Sequence, residues 1–514
     1  MEHLILGVGD VFGGTTLLWV AVGVSLGYVL GAIPGLGKAI GVAVSIPLTF
    51  YLEPVSALGM LIGIAKGSAA GSAVSAILLN TPGEPSSAPT AFDGYPLARQ
   101  GKGQKALKMA LFASVTGDFV STIILILLAA PLARYALLIG PVELCAILVF
   151  SLVFIGGLSG NSLTKGLIAA CFGIFFATVG LETETFVARL TFGYLELEDG
   201  ISLVPMAIGM LAVAEMVVQA GNLNTLDRET ANLRDSSDPR DRTVTQDELR
   251  RCAPVIARGT VIGTAVGILP GLGASVGSFL SYGETRRVSA TPAKYGTGMI
   301  EGVAAAESAD NAVVPSSLIP LFALGIPGSV IAAILIAAFI LHGLTPGPLM
   351  FQQQPRMVAG LYVSMLCASA ILLVIGLLGQ RLFSQIVHVP LRLVIPGVLL
   401  FCCVGSFMET GSVFSIYIML GFALLGFLAR KLDFSFVTFL IGFVIGPKLE
   451  LSFRQSLQLL NHDASNLLAH PIALLFLFAA LVFVVLSGRA TARRSGQTPP
   501  TTQENCNPKG GNQP

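Results

Sequence analysis

The chain has 514 residues, 54% of them hydrophobic and 11% charged, with a formal net charge of +1 and a mean hydropathy of +0.80. These values exclude an ordinary soluble domain, no basic face points to nucleic acid, and the chain reads as a polytopic membrane protein. Its 58 glycines and 28 prolines would ruin soluble helices, but a membrane protein tolerates them where neighbouring helices or a lined cavity satisfy the freed backbone groups.

The start, MEHLILGVGD, carries no basic residue before its apolar core. It predicts a retained anchor helix and no cleavable signal peptide. A glycine stripe follows at Gly23, Gly27, Gly31 and Gly35 and ends in the string PGLG. Spacing of four places the stripe on one helix face, where another backbone can approach closely, while Pro34, Gly35 and Gly37 interrupt the helix. Next comes the small-residue segment GMLIGIAKGSAAGSA at 59–73, holding Lys66, Ser68 and Ser72, and then a second break at Asn80, Thr81, Pro82 and Gly83. The stretch NTPGEPSSAPTAFDGYPLARQGKG, with Glu84 and Asp93, has loop chemistry throughout. It predicts either a mobile gate or docking surface, or an ordinary solvated loop. Its basic end, with Lys105 and Lys108 beyond it, reads as cytoplasmic by the positive-inside tendency.

Residues 221–252 form the one long polar interior segment, read as a linker between membrane repeats at 1–220 and 253–488. In the second repeat the stripe returns at Gly259, Gly263, Gly267 and Gly271, again ending in PGLG, with Pro270 matching Pro34 and Gly273 matching Gly37. GMIEGVAAAESADNA at 298–312 repeats the small-residue segment, and Pro327 and Gly328 in ALGIPGS repeat Pro82 and Gly83. Uncharged runs at 357–380, 410–429 and 464–488 each reach the roughly 20 residues needed to cross about 30 Å of hydrocarbon. Arg489, Arg493 and Arg494 after the last run place the C-terminus inside, and the polar tail 489–514 is expected to be disordered. The fold class is therefore an all-α polytopic membrane protein. It should have about ten to twelve transmembrane helices in two related repeats, with broken helices or re-entrant hairpins. Whether the repeats are inverted turns on the parity of crossings, and inversion is the favoured arrangement.

At each break proline stops the hydrogen-bond ladder and glycine admits unusual backbone angles, releasing carbonyls and amides. Freed carbonyls suit a sodium ion, and a half-helix N-terminus suits a carboxylate; a plain kink or turn is the alternative. The substrate-binding candidates are Lys66, Ser72, Asn80, Thr81, Pro82, Gly83, Pro327, Gly328 and Ser329. The ion-binding candidates are Gly35, Gly37, Gly271, Gly273, Ser275, Glu307 and Asn311. Ser278 and Ser308 offer ligand oxygens or mere interhelical packing. Asp118, Glu215, Glu301 and Asp310 are charges that an apolar segment must pair or direct to a cavity, and Lys66 could equally pair structurally with a carboxylate.

Enzyme signatures are poor. GAIPGLGK at 31–38 resembles a phosphate loop, but Leu36 holds the required glycine position and Ala39 follows the lysine. GLGASVG at 271–277 does not fit a dinucleotide fingerprint. The seven cysteines form no CxxC pair and no HExxH is present, so neither a metal site nor a cofactor is expected.

The strings GAIPGLG, ILLNTPGEPSSAPTAFDGYPLARQGKG, GILPGLGASVGSFLSYGETRR, EGVAAAESADNA and ALGIPGSVIAAILIAAFILHGLTPGPLMF resemble the large membrane subunit of the tripartite tricarboxylate transporters over roughly residues 15–485. The resemblance implies a multi-pass carrier in a bacterial inner membrane, working with a small membrane subunit and a periplasmic solute-binding protein. Uptake would be coupled to an ion, commonly sodium, without ATP, and a homo-oligomer is conceivable. At AKGSAAGSAVSAILL the chain departs from the family's aromatic and glycine-rich approach to TPGE, with Lys66 out of pattern. Only an organic carboxylate class therefore carries over. A passive carboxylate channel and a membrane-embedded enzyme are the alternatives; the second would need a convergent acid, base or metal set.

Overall fold

The computed structural model of the chain describes residues 2–158, 162–182, 184–221, 236, 238–386, 389 and 391–495. Among them, eight helices are long and apolar enough to cross a membrane, and the pair Leu6–Phe12 and Thr16–Ala32, bent by 65°, makes a ninth. Lys38–Thr49, Leu163–Ala177, Val330–Leu341 and Pro471–Ser487 are shorter apolar helices. The expected ten to twelve crossings are reached only by counting these pieces, because the proline and glycine breaks cut what would otherwise be longer runs. Among the described residues the architecture is all-helical apart from a two-residue antiparallel pairing of Gly180–Leu181 with Ala188–Arg189.

Glycine decides how the centre packs. A Cβ added to Gly23, Gly27 or Gly31 would fall on the carbonyl oxygens of Met60, Ile64 and Ser68, and one on Gly67 or Gly71 would fall on those of Val24 and Tyr28. Helices Thr16–Ala32 and Pro54–Leu79 therefore touch backbone to backbone along their length, as small-residue stripes permit. The second half repeats the device. Gly263 meets the carbonyl of Ala309, while Gly259 and Gly267 meet the hydroxyls of Ser308 and Ser316, joining helix Gln246–Ile268 to Ile300–Ser316. Burial follows from this arrangement: the apolar window of Pro54–Leu79 is 94% buried, against 22% for Leu391–Thr410. The first is the core of the bundle, and the second presents Leu393, Leu400 and Phe401 at its rim.

Element order also repeats. Each half runs through a glycine-striped helix, a PGLG break, a short helix, a helix of small residues, and a Pro-Gly break leading into another short helix. The segment after Glu84 is more ordered than its loop-like composition predicts, forming a short turn at Pro85–Ser87 and helix Ala88–Arg99. Asp93 on that helix is fully buried. Its Oδ1 accepts from the amides of Gly296, Gly298 and Met299 at 2.8, 2.9 and 2.8 Å, and its Oδ2 accepts from the Tyr282 hydroxyl at 2.8 Å. A first-half carboxylate thus latches a second-half loop, which excludes a fully solvated position for it.

Most of the linker before Asp238 lies outside the described residues. The described part holds a turn at Pro239–Asp241, and a capping box between Thr245 and Glu248 opens helix Gln246–Ile268 inside the polar segment. The last helix continues to Ser495, past the expected start of the tail, and 496–514 lie outside the described residues.

Candidate functional site

The two PGLG breaks come together in space. Gly35, Gly37, Gly271 and Gly273 line one cavity of about 870 Å³, joined by Pro82, Gly83 and Ser329 from the two Pro-Gly breaks. At these turns the chain needs glycine: Gly35 has φ +82°, Gly271 +87° and Gly273 +69°, a region costly for residues with a Cβ. The paired breaks also touch within each half. A Cβ on Gly83 would meet the carbonyl of Gly31, and the Gly271 amide donates to the Gly328 carbonyl at 3.1 Å.

The two halves finish their breaks differently. In the first, helix Lys38–Ser45 begins at the break, and its opening amide, on Lys38, donates to Oε1 of Glu84. A carboxylate of the chain itself therefore occupies that helix N-terminus, as the helix dipole favours. In the second, helix Gly273–Val288 begins with no side-chain cap among the described residues, and its first residues Gly273, Ala274 and Ser275 line the cavity. The residue following that half's Pro-Gly pair is Ser329, whose hydroxyl accepts from the Ala332 amide at 3.2 Å and donates to Ser317 Oγ at 3.0 Å.

Among the described residues, four charged side chains reach the cavity wall: Lys38, Glu84, Glu215 and Arg430. The Lys38 ammonium donates to Asp310 Oδ1 at 2.8 Å, lies 3.0 Å from Glu84 Oε2 and donates to Ser86 Oγ at 3.3 Å. Arg430 pairs with Glu215, which also accepts from Gln219 Nε2 at 3.0 Å. A π-helical turn at Ile208–Val213 precedes Glu215 and shifts the helical register just before it; such widened turns recur at functional sites. Apart from the serines Ser86, Ser275, Ser317 and Ser329, the rest of the wall is mostly apolar, with Ile40, Leu158, Leu211, Val313, Ile331 and Phe436 among its residues. A largely apolar chamber with two cations, each paired to a carboxylate, several hydroxyls and a helix N-terminus suits a small anion carrying carboxylates.

Residues 17–441 match the tripartite tricarboxylate transporter TctA family. The chain belongs to that family. It is 35% identical over 494 residues, covering 95% of this chain and 96% of the relative, to an uncharacterized 52.8 kDa protein in the TAR-I ttuC′ 3′ region of Agrobacterium vitis. A second protein of Agrobacterium vitis, uncharacterized and in the TAR-II ttuC′ 3′ region, is 35% identical over 225 residues, 44% of this chain and 93% of that relative. No solved structure matches. TctA-family proteins are transporter subunits and not enzymes, and this chain is a multi-pass membrane protein of that kind.

Within this TctA-family chain the remaining candidates are placed as follows. Asn80 has φ +55° and ends helix Pro54–Leu79, its amide and that of Thr81 turning back to the Ser75 carbonyl; both shape the break without lining the cavity. Pro327 and Gly328 are buried behind Ser329. Ser72 donates to the Ala69 carbonyl at 2.7 Å inside its own helix. Lys66 is fully buried and does not line the cavity. Its ammonium is held by Asp118 Oδ2 at 2.9 Å, Thr122 Oγ1 at 3.0 Å, Ser369 Oγ at 3.0 Å and the Met365 carbonyl at 2.8 Å. That is the structural pairing with a carboxylate, and it takes Lys66 away from any anion in the chamber. Glu307 accepts from Thr90 at 2.6 Å and Ser114 at 2.9 Å, and Asn311 Nδ2 donates to Ser114 at 2.9 Å. Both face a buried helix contact and not the cavity. Glu301 lies 3.6 Å from Arg251.

Lys38, Arg430 and Ser317 were missed by sequence reasoning. For Lys38 a signal existed, since a lysine directly after PGLG is a cation at a helix break. Arg430, at the end of an apolar run, carries no such mark.

Proposed function

We propose that this chain is the carrier subunit of a three-component system importing tricarboxylates or related organic carboxylates across a bacterial inner membrane, coupled to a sodium gradient. The convergence of all four helix breaks on one chamber carries this reading, because a carrier needs main-chain dipoles at a buried site and lipid forbids them elsewhere. Substrate carboxylates are held at the open N-terminus of helix Gly273–Val288, with Ser275, Ser317 and Ser329 as hydroxyl partners and Arg430 as the countercharge. Sodium binds on the first-half side, among freed carbonyls and carboxylates. A small membrane subunit and an exported solute-binding protein deliver the substrate, the two repeats are inverted, and one moves against the other to alternate access. The C-terminus is cytoplasmic, as Arg489, Arg493 and Arg494 favour.

The test is uptake of radiolabelled citrate and smaller carboxylates in cells that carry the chain with its two partner components, in sodium or in choline medium. Sodium-dependent accumulation is expected, with loss of accumulation when the exported protein is omitted. Counterflow in proteoliposomes separates a carrier from a pore: trans substrate should accelerate entry. Equal flux without trans substrate and without sodium would reject the reading in favour of a channel.

A further inference from the structure

The cluster around Lys38 is built asymmetrically. One ammonium faces two carboxylates, so the cluster carries net negative charge although it sits on the wall of a chamber suited to anions. Lys38 and Glu84 come from the first repeat and Asp310 from the second. The matched positions Ala274, Ser329 and Gly71 carry no charge, so repeat symmetry does not explain the group. The oxygens around Lys38 Nζ are two carboxylates and the Ser86 hydroxyl, within 2.8–3.3 Å. Hard oxygen donors of this kind are what an alkali cation takes. Asp310 is fully buried, and its second oxygen, Oδ2, has no hydrogen-bond partner among the described residues. A buried carboxylate oxygen without a partner is costly, and here it leaves coordinating capacity unused beside the ammonium.

We propose that Lys38 is the exchange element that links anion binding to cation binding: its ammonium fills a cation cage of Glu84, Ser86 and Asp310 while the chamber is empty, and leaves that cage for a substrate carboxylate as sodium enters. The proposal rests on the carrier reading above. Lys38 belongs to both sites, since its backbone opens the helix after the first break and its side chain lines the cavity. A flexible point charge on a four-carbon stem suits such a swing, where a planar guanidinium would not. When the ammonium moves, the two carboxylates lose their countercharge and the cage gains affinity for sodium. Each ligand then raises the affinity for the other by the same factor.

The experiment uses the purified full-length chain in detergent. Its thermal unfolding midpoint is followed against sodium chloride, with choline chloride holding ionic strength constant and no carboxylate present. In Lys38→Gln and Lys38→Met the cage stands open, so half-saturation by sodium should occur at a concentration at least tenfold lower than in the wild type. Adding Asp310→Asn to either variant should abolish the sodium response. A sodium response equal in wild type and variants, or one replaced by a response to pH alone, overturns the proposal. Should neither variant fold, the wild type decides: citrate and sodium must each lower the other's half-saturation, and independent binding overturns the exchange. A chain that ignores citrate altogether while Lys38→Gln gains sodium affinity would contradict the substrate reading and leave the cage assignment standing.

Discussion

Lys66 and Lys38 are both lysines in apolar surroundings, and their partners hold them in different places, one away from the cavity and one on its wall. Lys66 is enclosed by Asp118, Thr122, Ser369 and the Met365 carbonyl, with side-chain exposures of 0% and 1% for the ion pair. Removing one member strands the other charge, so Lys66→Met should cost about 3–5 kcal/mol of stability, read as a fall in unfolding midpoint in detergent. Lys66→Met with Asp118→Leu should recover most of that loss, because a well-packed apolar pair replaces a buried ionic one at little net cost. Arg430 lies on the cavity wall, where its planar fork pairs with Glu215. Arg430→Lys is not conservative there, and carboxylate affinity measured by competition should weaken about tenfold or more while the protein remains folded. The sequence marked Lys66 as a charge needing a partner, but the partner lies on other helices and no local pattern encodes it.

The broken helices depend on single glycines in two ways. Along the stripes the constraint is close approach: Gly27→Leu or Gly263→Leu would drive a side chain into the carbonyls of Ile64 or Ala309. Those variants should lose monodisperse protein in size-exclusion chromatography. At the turns the constraint is backbone angle as well as space. Gly35→Val and Gly271→Val place a branched residue at φ +82° and +87°, a strain of about 1–3 kcal/mol added to contact with Gln219 or Ile155. Uptake should be abolished while membrane insertion persists. The entry of helix Gln246–Ile268 responds to acid. Burial pushes the Glu248 carboxyl up, but hydrogen bonds from Thr245 and Lys105 outweigh it and leave the group below its usual range. A depressed carboxyl stabilises above its unfolded pKa and loses that contribution as pH falls through the folded value. Protection factors for amide exchange over 245–250, corrected for the intrinsic rate at each pH, should therefore fall below about pH 4, and less so in Glu248→Gln, which starts without the charge.

At the scale of the whole molecule, the halves are held together by contacts that cross between them. Asp93 ties the 296–299 loop, Lys38 reaches Asp310, and Glu307 receives Thr90 and Ser114. Asp93→Ala leaves three amides and the Tyr282 hydroxyl without their acceptor, and protease cleavage within 289–299 should speed up several-fold with the membrane core intact. A bulky residue in the chamber, such as Ser275→Trp, should block uptake without changing the unfolding midpoint, because Ser275 lines the cavity.

The amino-acid sequence by itself determined the all-helical membrane class, the duplicated order of breaks and small-residue helices, and the glycines at which two backbones meet. Those properties are local or periodic: hydropathy, spacing of four, and proline's missing donor act within a single helix. Only the tertiary structure decided that the breaks face one another across a chamber, that Glu84 fills the helix N-terminus of the first break, and that Lys66 is held in an ion pair away from the cavity while Lys38 and Arg430 line it. Such pairings join residues hundreds of positions apart, and the direction a buried charge faces is set by whichever helices pack beside it.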